Sequence, residues 1–281
     1  MPDSPRPCPA CGQSFATEHV LGDVAVNHYN SELLARRRYD AVECGECRLI
    51  FFSPLPSDDD IRAMYVDSHQ FDSAESAASP YRGEQGTAVL EYTTGRFLAM
   101  LRMMGLDTGA VVRVLEVGAG LSWMCRAAKI ATWDNITVAQ DLTDEAVEEC
   151  RWVDRYVVED VMTSDEITGE GPYDVISLTH VFEHLAEPVA MLERLRDLLS
   201  DRGFIFITAP HRPYGWKFGD GLAGFDGWSY NHVPAHLQYF NREAFQRAAA
   251  ASGLEVALFE DHHEGGQAFE GWLRRPAVAV S

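Results

Sequence analysis

Apolar residues come in short runs from about residue 110 onward, and each run is followed by a polar stretch with helical spacing. Short apolar runs bounded by glycine or charged residues are typical of strands buried in a sheet. We therefore predict five strands, at 111–117, 136–140, 155–158, 173–179 and 204–208. Strands that alternate with helices form a parallel sheet with helices on both faces, and ligands bind at the carboxyl ends of its strands.

Helical periodicity predicts helices at 87–104, from Gly120 to Lys129, and at 143–151, 188–199 and 242–252. Gly105 is expected to close the first of them, and 201–203 to form the turn into the fifth strand. Two last strands, at 254–260 and 268–274, are joined by a turn at 265–266 and form a hairpin. The predicted fold class is α/β, a Rossmann-like parallel sheet with an antiparallel C-terminal edge strand.

The N-terminal part has a different pattern. Residues 49–56 read as an apolar strand that two prolines stop, and a helix is expected after 57–60. Residues 67–86 lack periodicity and are predicted to form a mobile loop or lid. We expect a small domain at 1–56, a helical linker and lid at 57–109, and the α/β domain at 110–281.

Four of the six cysteines form two Cys-x-x-Cys pairs, made by Cys8 with Cys11 and by Cys44 with Cys47. Each such turn directs two thiolates at one point, and two turns complete a tetrahedral site. In a reducing compartment this spacing favours metal over disulfides. The segment is therefore predicted to be a zinc knuckle domain in which Zn²⁺ is structural.

The net charge of the chain limits the classes of partner that it can bind. The chain of 281 residues has 43 acidic and 23 basic side chains, a net charge of −20. A surface this negative repels phosphate, so we expect neither nucleic acid nor a membrane as partner. The sequence has neither an apolar run of about 20 residues nor a basic-then-apolar leader. A cytoplasmic location is therefore expected.

A glycine loop, 116–120, follows the first strand of the α/β part. Gly118 and Gly120 allow the backbone to pass close to a ligand at a helix N-terminus. A dinucleotide fingerprint needs a small residue at position 123, where this chain has Trp123. Asp141 ends the second strand and suits a ribose diol, and Asp160 ends the third. An NAD-dependent oxidoreductase remains an alternative.

Segments 114–120, 138–142 and 173–178 resemble the successive motifs of class I S-adenosylmethionine (SAM) dependent methyltransferases, and the resemblance spans about 110–275. The third glycine that this family usually carries is Ser122 here. The resemblance implies SAM as cofactor, with the loop under its methionine part, Asp141 at the ribose, Asp160 at the adenine and the strand end at Thr179 beside the sulfonium. The implied cofactor-binding residues are Glu116, Gly118, Gly120, Asp141, Asp160 and Thr179.

The cysteine knuckle followed by the run 51–56 is similar to a subgroup of sugar and natural-product methyltransferases. This narrower resemblance implies a small-molecule acceptor, methylated at O, N or C. The knuckle domain itself is interpreted as a structural lid, as a contact between two copies in a homodimer, or as a cover over the acceptor pocket.

His180, Glu183 and His184 directly follow the fourth strand and are candidate catalytic residues. One helical turn would bring both histidines onto one face beside Glu183. Three roles stay open for them: a metal-free histidine base, a metal site, or a purely structural role. The metal site is suggested by similarity to a metal-dependent methyltransferase branch with Glu-x-x-Glu-His and a distant histidine.

A second histidine pair, His232 and His236, lies in a long aromatic segment before the last helix. His236 matches a family element that fixes this helix, so His232 is the better catalytic candidate. The favoured function is SAM-dependent methyl transfer to a small molecule with a histidine base. The alternatives are a metal-dependent O-methyltransferase using His180, Glu183 and His184, a SAM-binding adaptor without turnover, and the oxidoreductase.

Overall fold

A computed structural model describes residues 6–13, 18–25, 38–57, 59–60, 84–212, 228, 230–233, 235–263 and 267–277. The predicted helix after 57–60, most of the aperiodic stretch 67–86 and the turn at 265–266 lie outside these residues. The chain divides into two compact units. One comprises Met1–Phe71, His180–Leu192 and Thr208–Gly271, and the other comprises Asp72–Thr179, Glu193–Ile207 and Trp272–Ser281.

Eleven strands and five α-helices are present in the described part of the chain. The strands are β1 Glu18–Ala25, β2 Arg38–Cys44, β3 Ile50–Ser53, β4 Arg113–Val117, β5 Ile136–Asp141, β6 Arg155–Val158, β7 Tyr173–Thr179, β8 Leu199–Pro210, β9 Gln238–Tyr239, β10 Glu255–His263 and β11 Ala268–Arg274. The helices are α1 Glu84–Met103, α2 Trp123–Ala131, α3 Asp165–Glu170, α4 Pro188–Leu198 and α5 Arg242–Ala251.

The larger sheet is mixed and has seven strands in the order β10-β11-β8-β7-β4-β5-β6. Strand β4 pairs in parallel with β5 on one side and with β7 on the other, and β5 pairs in parallel with β6. Helices cover both faces of this sheet. Successive residues of 114–117 and 173–178 are therefore all buried, instead of alternating between buried and exposed. The Rossmann-like fold with a C-terminal hairpin at one edge is therefore confirmed.

The helix predicted at 143–151 is wrong. This segment contains only a 3₁₀ turn at Val147–Glu149, whose N-cap residue makes no side-chain hydrogen bond. Between 143 and 151 only Ala146 and Cys150 are buried. Because short helices in proteins depend on burying an apolar face, this segment has too little apolar surface to form one.

The turn predicted at 201–203 is also wrong, because β8 runs without interruption from Leu199. Ser200 Oγ and Arg202 Nε each donate to Asp174 Oδ1 at 3.0 Å, which holds this stretch beside β7. A Cβ on Gly203 would lie 2.8 Å from Leu199 Cδ1 and 2.9 Å from the carbonyl oxygen of Asp174. The glycine therefore serves a close approach rather than a turn.

Gly271 in β11 faces the ring of Phe245 on α5, and we predict that Gly271→Ala destabilises the protein. A Cβ at Gly271 would lie 2.6 Å from Phe245 Cε1, and the ring is buried on all sides. Overpacking of this kind costs about 1–3 kcal/mol, which thermal unfolding measures as a lower Tm. Gly169→Ala is the matched control because a Cβ there meets nothing within 4 Å, so an unchanged or higher Tm is expected. Equal Tm values for the two variants would contradict the prediction.

The smaller sheet has four antiparallel strands in the order β1-β2-β3-β9. Its fourth strand, β9, comes from far along the chain and pairs Ile50 with Tyr239 and Phe51 with Gln238. Tyr39, Ala41, Ile50, Phe52, Val233, Ala235 and Tyr239 form its buried cluster. Strands β2 and β3, which flank the second Cys-x-x-Cys turn, thus share an apolar core with the segment that contains the second histidine pair.

Candidate functional site

The two Cys-x-x-Cys turns have the same backbone geometry. In each, an N–H donates to the carbonyl oxygen of the first cysteine, from Gly12 to Cys8 at 2.8 Å and from Arg48 to Cys44 at 3.0 Å. The residue after the second cysteine has positive φ in both, 70° at Gly12 and 62° at Arg48. Glycine at position 12 allows the positive φ of the first turn to be predicted from the sequence. Arginine at position 48 gives no such indication for the second turn.

The four thiols fit a tetrahedral metal site. The sulfurs of Cys8 and Cys47 lie 3.5 Å apart, those of Cys11 and Cys44 lie 3.7 Å apart, and all four lie within 4.8 Å of one another. Zinc–sulfur bonds of about 2.3 Å in a tetrahedron separate the sulfurs by about 3.8 Å. A hydrogen bond from Cys47 lowers the pKa of Cys8 to about 6, although burial opposes this. The same hydrogen bond raises the pKa of Cys47, and burial raises that of Cys11 to about 12, so a metal ion rather than the apo cluster would favour four thiolates.

Asn241 connects the second knuckle to a helix. Its Nδ2 donates to the carbonyl oxygens of Cys47 and Arg48 at 3.2 and 2.6 Å. Its Oδ1 accepts from the N–H of Ala244 at 3.0 Å and so caps α5. The sequence predicts the helix but gives no sign of this bridge.

The predicted glycine loop lies between β4 and α2. Gly118 and Gly120 have φ values of 59° and 45°, and a Cβ on Gly120 would meet nothing within 4 Å. Glu116 is buried, and its oxygens accept from the N–H groups of Met124 and Cys125 at 3.2 and 3.0 Å. Its carboxylate thus caps α2 in place of Ser122, whose side chain makes no cap bond. The pKa of Glu116 is raised to about 7 by burial, against these backbone hydrogen bonds.

Three side chains hold the loop in position. Asp141 Oδ2 accepts from the N–H of Gly120 at 3.0 Å. Gln140 Oε1 accepts from the N–H of Gly118 at 3.3 Å, and Tyr156 donates to the carbonyl oxygen of Gly120 at 3.1 Å. The sequence predicts a role for Asp141 but not for Gln140 or Tyr156, although Gln140 lies within the motif segment 138–142. Leu142, beside Asp141, is 72% exposed.

Asp160 and Thr179 are both exposed. Asp160 follows β6, and its Oδ1 accepts from the N–H of Met162 at 2.9 Å. Thr179 is the last residue of β7. Contacts of these two residues with SAM stay predictions.

Glu183 is the centre of a histidine cluster. Its side chain is 1% exposed, and its Oε1 lies 3.4 Å from Nδ1 of His180 and 3.9 Å from Nε2 of both His184 and His236. Burial opposes ionisation of Glu183, but the adjacent His180, together with the positive charge of the three imidazoles when they are protonated, lowers its pKa to about 2. Burial lowers the pKa of His236 to about 3, so its ring is neutral at pH 7.

The cluster does not form through the expected helical turn. His180 has a φ of 54°, and only Phe182–His184 form a 3₁₀ turn. Glu183 nevertheless lies beside both histidines, with Oε1 3.4 Å from Nδ1 of His180 and 3.9 Å from Nε2 of His184. The distant histidine beside Glu183 is His236, for which the sequence analysis favoured a structural role.

His232, the preferred candidate of the second pair, packs against the ring of His236. Its ring centroid is 5.0 Å from that of His236, and its side chain is half-buried. The ring of Tyr230 stacks on His180 with a centroid separation of 5.8 Å and an interplanar angle of 11°. The four histidine rings and Tyr230 therefore form one connected group.

A family model described as a methyltransferase domain matches residues 66–258. The chain belongs to this methyltransferase family. The match covers the whole glycine loop, both acidic strand ends and both histidine segments. No curated protein matches the chain by sequence.

Solved methyltransferases share the fold at low sequence identity. The Burkholderia thailandensis 1,6-didemethyltoxoflavin N1-methyltransferase, solved with 1,6-didemethyltoxoflavin and S-adenosylhomocysteine (SAH), is 15% identical with a TM-score of 0.53 over 90% of this chain and 99% of that one. The Synechocystis magnesium protoporphyrin IX methyltransferase, solved with SAH, is 14% identical with a TM-score of 0.53 over 78% of this chain and 100% of that one.

The protein is a class I SAM-dependent methyltransferase. Membership of a methyltransferase family excludes the NAD-dependent oxidoreductase as the family of this chain, and both similar structures contain SAH. The glycine loop has the space and polarity that an adenosine ligand needs, because it combines open space at Gly120 with an acidic strand end at Asp141. Within the described residues, no helix is both long and apolar enough to cross a membrane.

Proposed function

We propose that this methyltransferase transfers the methyl group of SAM to a small-molecule acceptor and that His180 takes up the acceptor's proton. The observation that carries the second part is the contact between Nδ1 of His180 and the buried carboxylate of Glu183, 3.4 Å away. A carboxylate beside one imidazole nitrogen fixes the ring and leaves the other nitrogen as the base. His180 directly follows the last residue of β7 and is 33% exposed.

The acceptor class is inferred from charge and from proteins of similar fold. The net charge of −20 opposes binding of nucleic acid. The two similar enzymes act on a toxoflavin precursor and on a magnesium porphyrin, both small molecules. We favour a sugar or a natural-product intermediate, methylated at O, N or C, because the cysteine knuckles and the run 51–56 resemble that subgroup.

We assign SAM to the loop and to the two acidic strand ends. Asp141 would accept hydrogen bonds from the ribose hydroxyls, Asp160 one from the adenine amino group, and exposed Leu142 would cover the adenine face. Glu116 would support the loop by capping α2, and Thr179 would border the methyl donor. When bound, SAM supplies a methyl group on an already activated sulfonium, so the chain's own residues need only align the acceptor and remove its proton.

The other candidate bases fit less well. Glu183 is buried and contacts histidines, so it acts as a positioning residue for His180. His184 and His236 each have Nδ1 bound to a backbone carbonyl and Nε2 directed at Glu183. His232 is half-buried and could approach an acceptor, so it remains the second candidate.

His180→Asn tests the proposed base. Asparagine can keep a donor near the position of Nδ1 and removes Nε2, so we expect kcat to fall about 10²–10⁴-fold with the Kd for SAM unchanged. SAH formation is measured across a panel of sugar and natural-product acceptors, and the acidic limb of the pH profile of kcat/KM should disappear in the variant. His211→Asn, which makes the same substitution at a different histidine, is the control.

Two results would change this assignment. Full activity in His180→Asn would exclude His180 as the base while leaving methyl transfer intact. Tight SAM binding without SAH formation from any acceptor would favour the adaptor without turnover.

We also propose that the four cysteines hold one structural Zn²⁺. The support is their sulfur separations and the matching backbone of the two knuckles. With four protein ligands the site has no open position, which is typical of structural rather than catalytic zinc.

A further inference from the structure

The carboxylate of Glu183 is buried among imidazole rings, and its closest ring nitrogen, Nδ1 of His180, lies 3.4 Å away. Neither Oε1 nor Oε2 has a hydrogen-bond partner among the described residues, and the residue is fully buried. Burial of an ionised carboxylate is costly unless a positive group or donors offset it. Imidazole nitrogens of His180, His184 and His236 lie 3.4–3.9 Å from Oε1 of Glu183.

Two of these imidazoles present lone pairs rather than protons to Glu183. Nδ1 of His184 lies 2.9 Å from the carbonyl oxygen of Ala235, and Nδ1 of His236 lies 2.9 Å from that of Tyr230. A carbonyl oxygen can only accept, so Nδ1 carries the proton in both rings and Nε2 is unprotonated in the neutral form. Two nitrogen lone pairs and a carboxylate oxygen therefore converge, and they repel one another unless a cation lies between them.

We propose that Glu183, His184 and His236 bind one divalent first-row transition-metal ion, at a site separate from the four cysteines. One atom from each residue lies within 4.8 Å of the others. Two histidines and a carboxylate are a common ligand set for such ions, which leaves positions open for further ligands. Ligating histidines usually donate their second ring nitrogen to a carbonyl or carboxylate, as both histidines do here.

The ligand set also separates the two metal sites chemically. Nitrogen and oxygen ligands accept Mn²⁺, whereas four thiolates select zinc and similar softer ions. Added Mn²⁺ therefore reports on the site at Glu183 while Zn²⁺ stays on the cysteines. The inference shares Glu183 with the proposed function, but its test is separate, because Mn²⁺ binding is measured without SAM and without an acceptor.

The experiment titrates the zinc-loaded full chain with Mn²⁺ and follows free Mn²⁺ by electron paramagnetic resonance. We expect one Mn²⁺ per chain for the unmodified protein. His236→Asn can keep a donor toward the carbonyl of Tyr230 and loses Nε2, so it should weaken binding at least 100-fold. Glu183→Gln removes the charge at constant shape and should have the same effect. His232→Asn, a histidine change in the same segment, should bind Mn²⁺ normally.

Circular dichroism and retained zinc show whether each variant is folded. If His236→Asn or Glu183→Gln fails to fold, His184→Asn replaces it, because His184 is 26% exposed and tolerates change more easily. Mn²⁺ that stays free with the unmodified protein, together with a metal content of only one zinc after incubation with Co²⁺ or Zn²⁺, would overturn the proposal. So would Mn²⁺ binding that persists unchanged in the folded ligand variants.

Discussion

Cys44→Ser is expected to release the zinc and to unfold the four-stranded sheet. Cys44 ends β2, is fully buried, and its N–H and carbonyl group form both backbone hydrogen bonds of the second knuckle. Structural zinc contributes about 10–16 kcal/mol to small metal domains, which is as large as the total stability of about 5–15 kcal/mol of an ordinary protein. Elemental analysis should show loss of the zinc, and limited proteolysis should cut within 38–53.

Cys150→Ser is the control for this substitution. Cys150 is also buried, but its thiol donates to the carbonyl oxygen of Gly120, a bond that a serine hydroxyl can keep. The control should retain zinc and resist the protease. If Cys44→Ser kept one zinc per chain, or lost it while 38–53 stayed protected, zinc would not be the element that stabilises this sheet.

Asp141→Ala is expected to reduce SAM affinity at least about 100-fold. The variant removes a carboxylate that would accept two ribose hydroxyls, and hydrogen bonds to a charged group contribute about 1.5–3 kcal/mol each. It also removes the acceptor for the N–H of Gly120, 3.0 Å from Oδ2, which holds the loop. Isothermal titration calorimetry with SAM and with SAH measures the loss directly.

Two further variants make the result specific. Asp144→Ala removes an exposed acid three positions along the chain, so its affinity should stay unchanged despite the same change in net charge. Asp141→Asn keeps one oxygen and should fall between the alanine variant and the unmodified protein. Unchanged affinity in Asp141→Ala would exclude Asp141 as the ribose ligand.

The larger sheet could be predicted from sequence because its signals are local. Buried parallel strands such as β7 are continuous apolar runs, and the predicted bounds of β6, β7 and β11 agree with the structure. Helix ends with clear chemistry also agree, such as Gly105, which has a φ of 73° and closes α1. Gly203 shows where a local signal gave a wrong prediction. Its glycine suggests a turn, but the residue lies within β8, and glycine is needed there because neighbouring atoms leave no space for a Cβ.

The candidate site was predictable only in part, because its geometry depends on contacts between distant segments. The sequence placed Glu183 beside two histidines but could not choose His236 over His232, since that choice depends on which ring reaches Glu183. It could not show β9 joining β3, because a two-residue strand has no periodicity. Arg48 was equally hidden, since arginine rarely adopts the left-handed conformation that it has there.

The bridge made by Asn241 has a consequence for the helix that it caps. Because one side chain joins the carbonyls of the second knuckle to the first turn of α5, metal occupancy and opening of that turn are thermodynamically linked. Hydrogen exchange at the amide of Ala244 should therefore accelerate when zinc is chelated, while the amide of Ser252 at the other end changes less. An ion bound near the start of the sequence would thus set the local stability of a helix near its end.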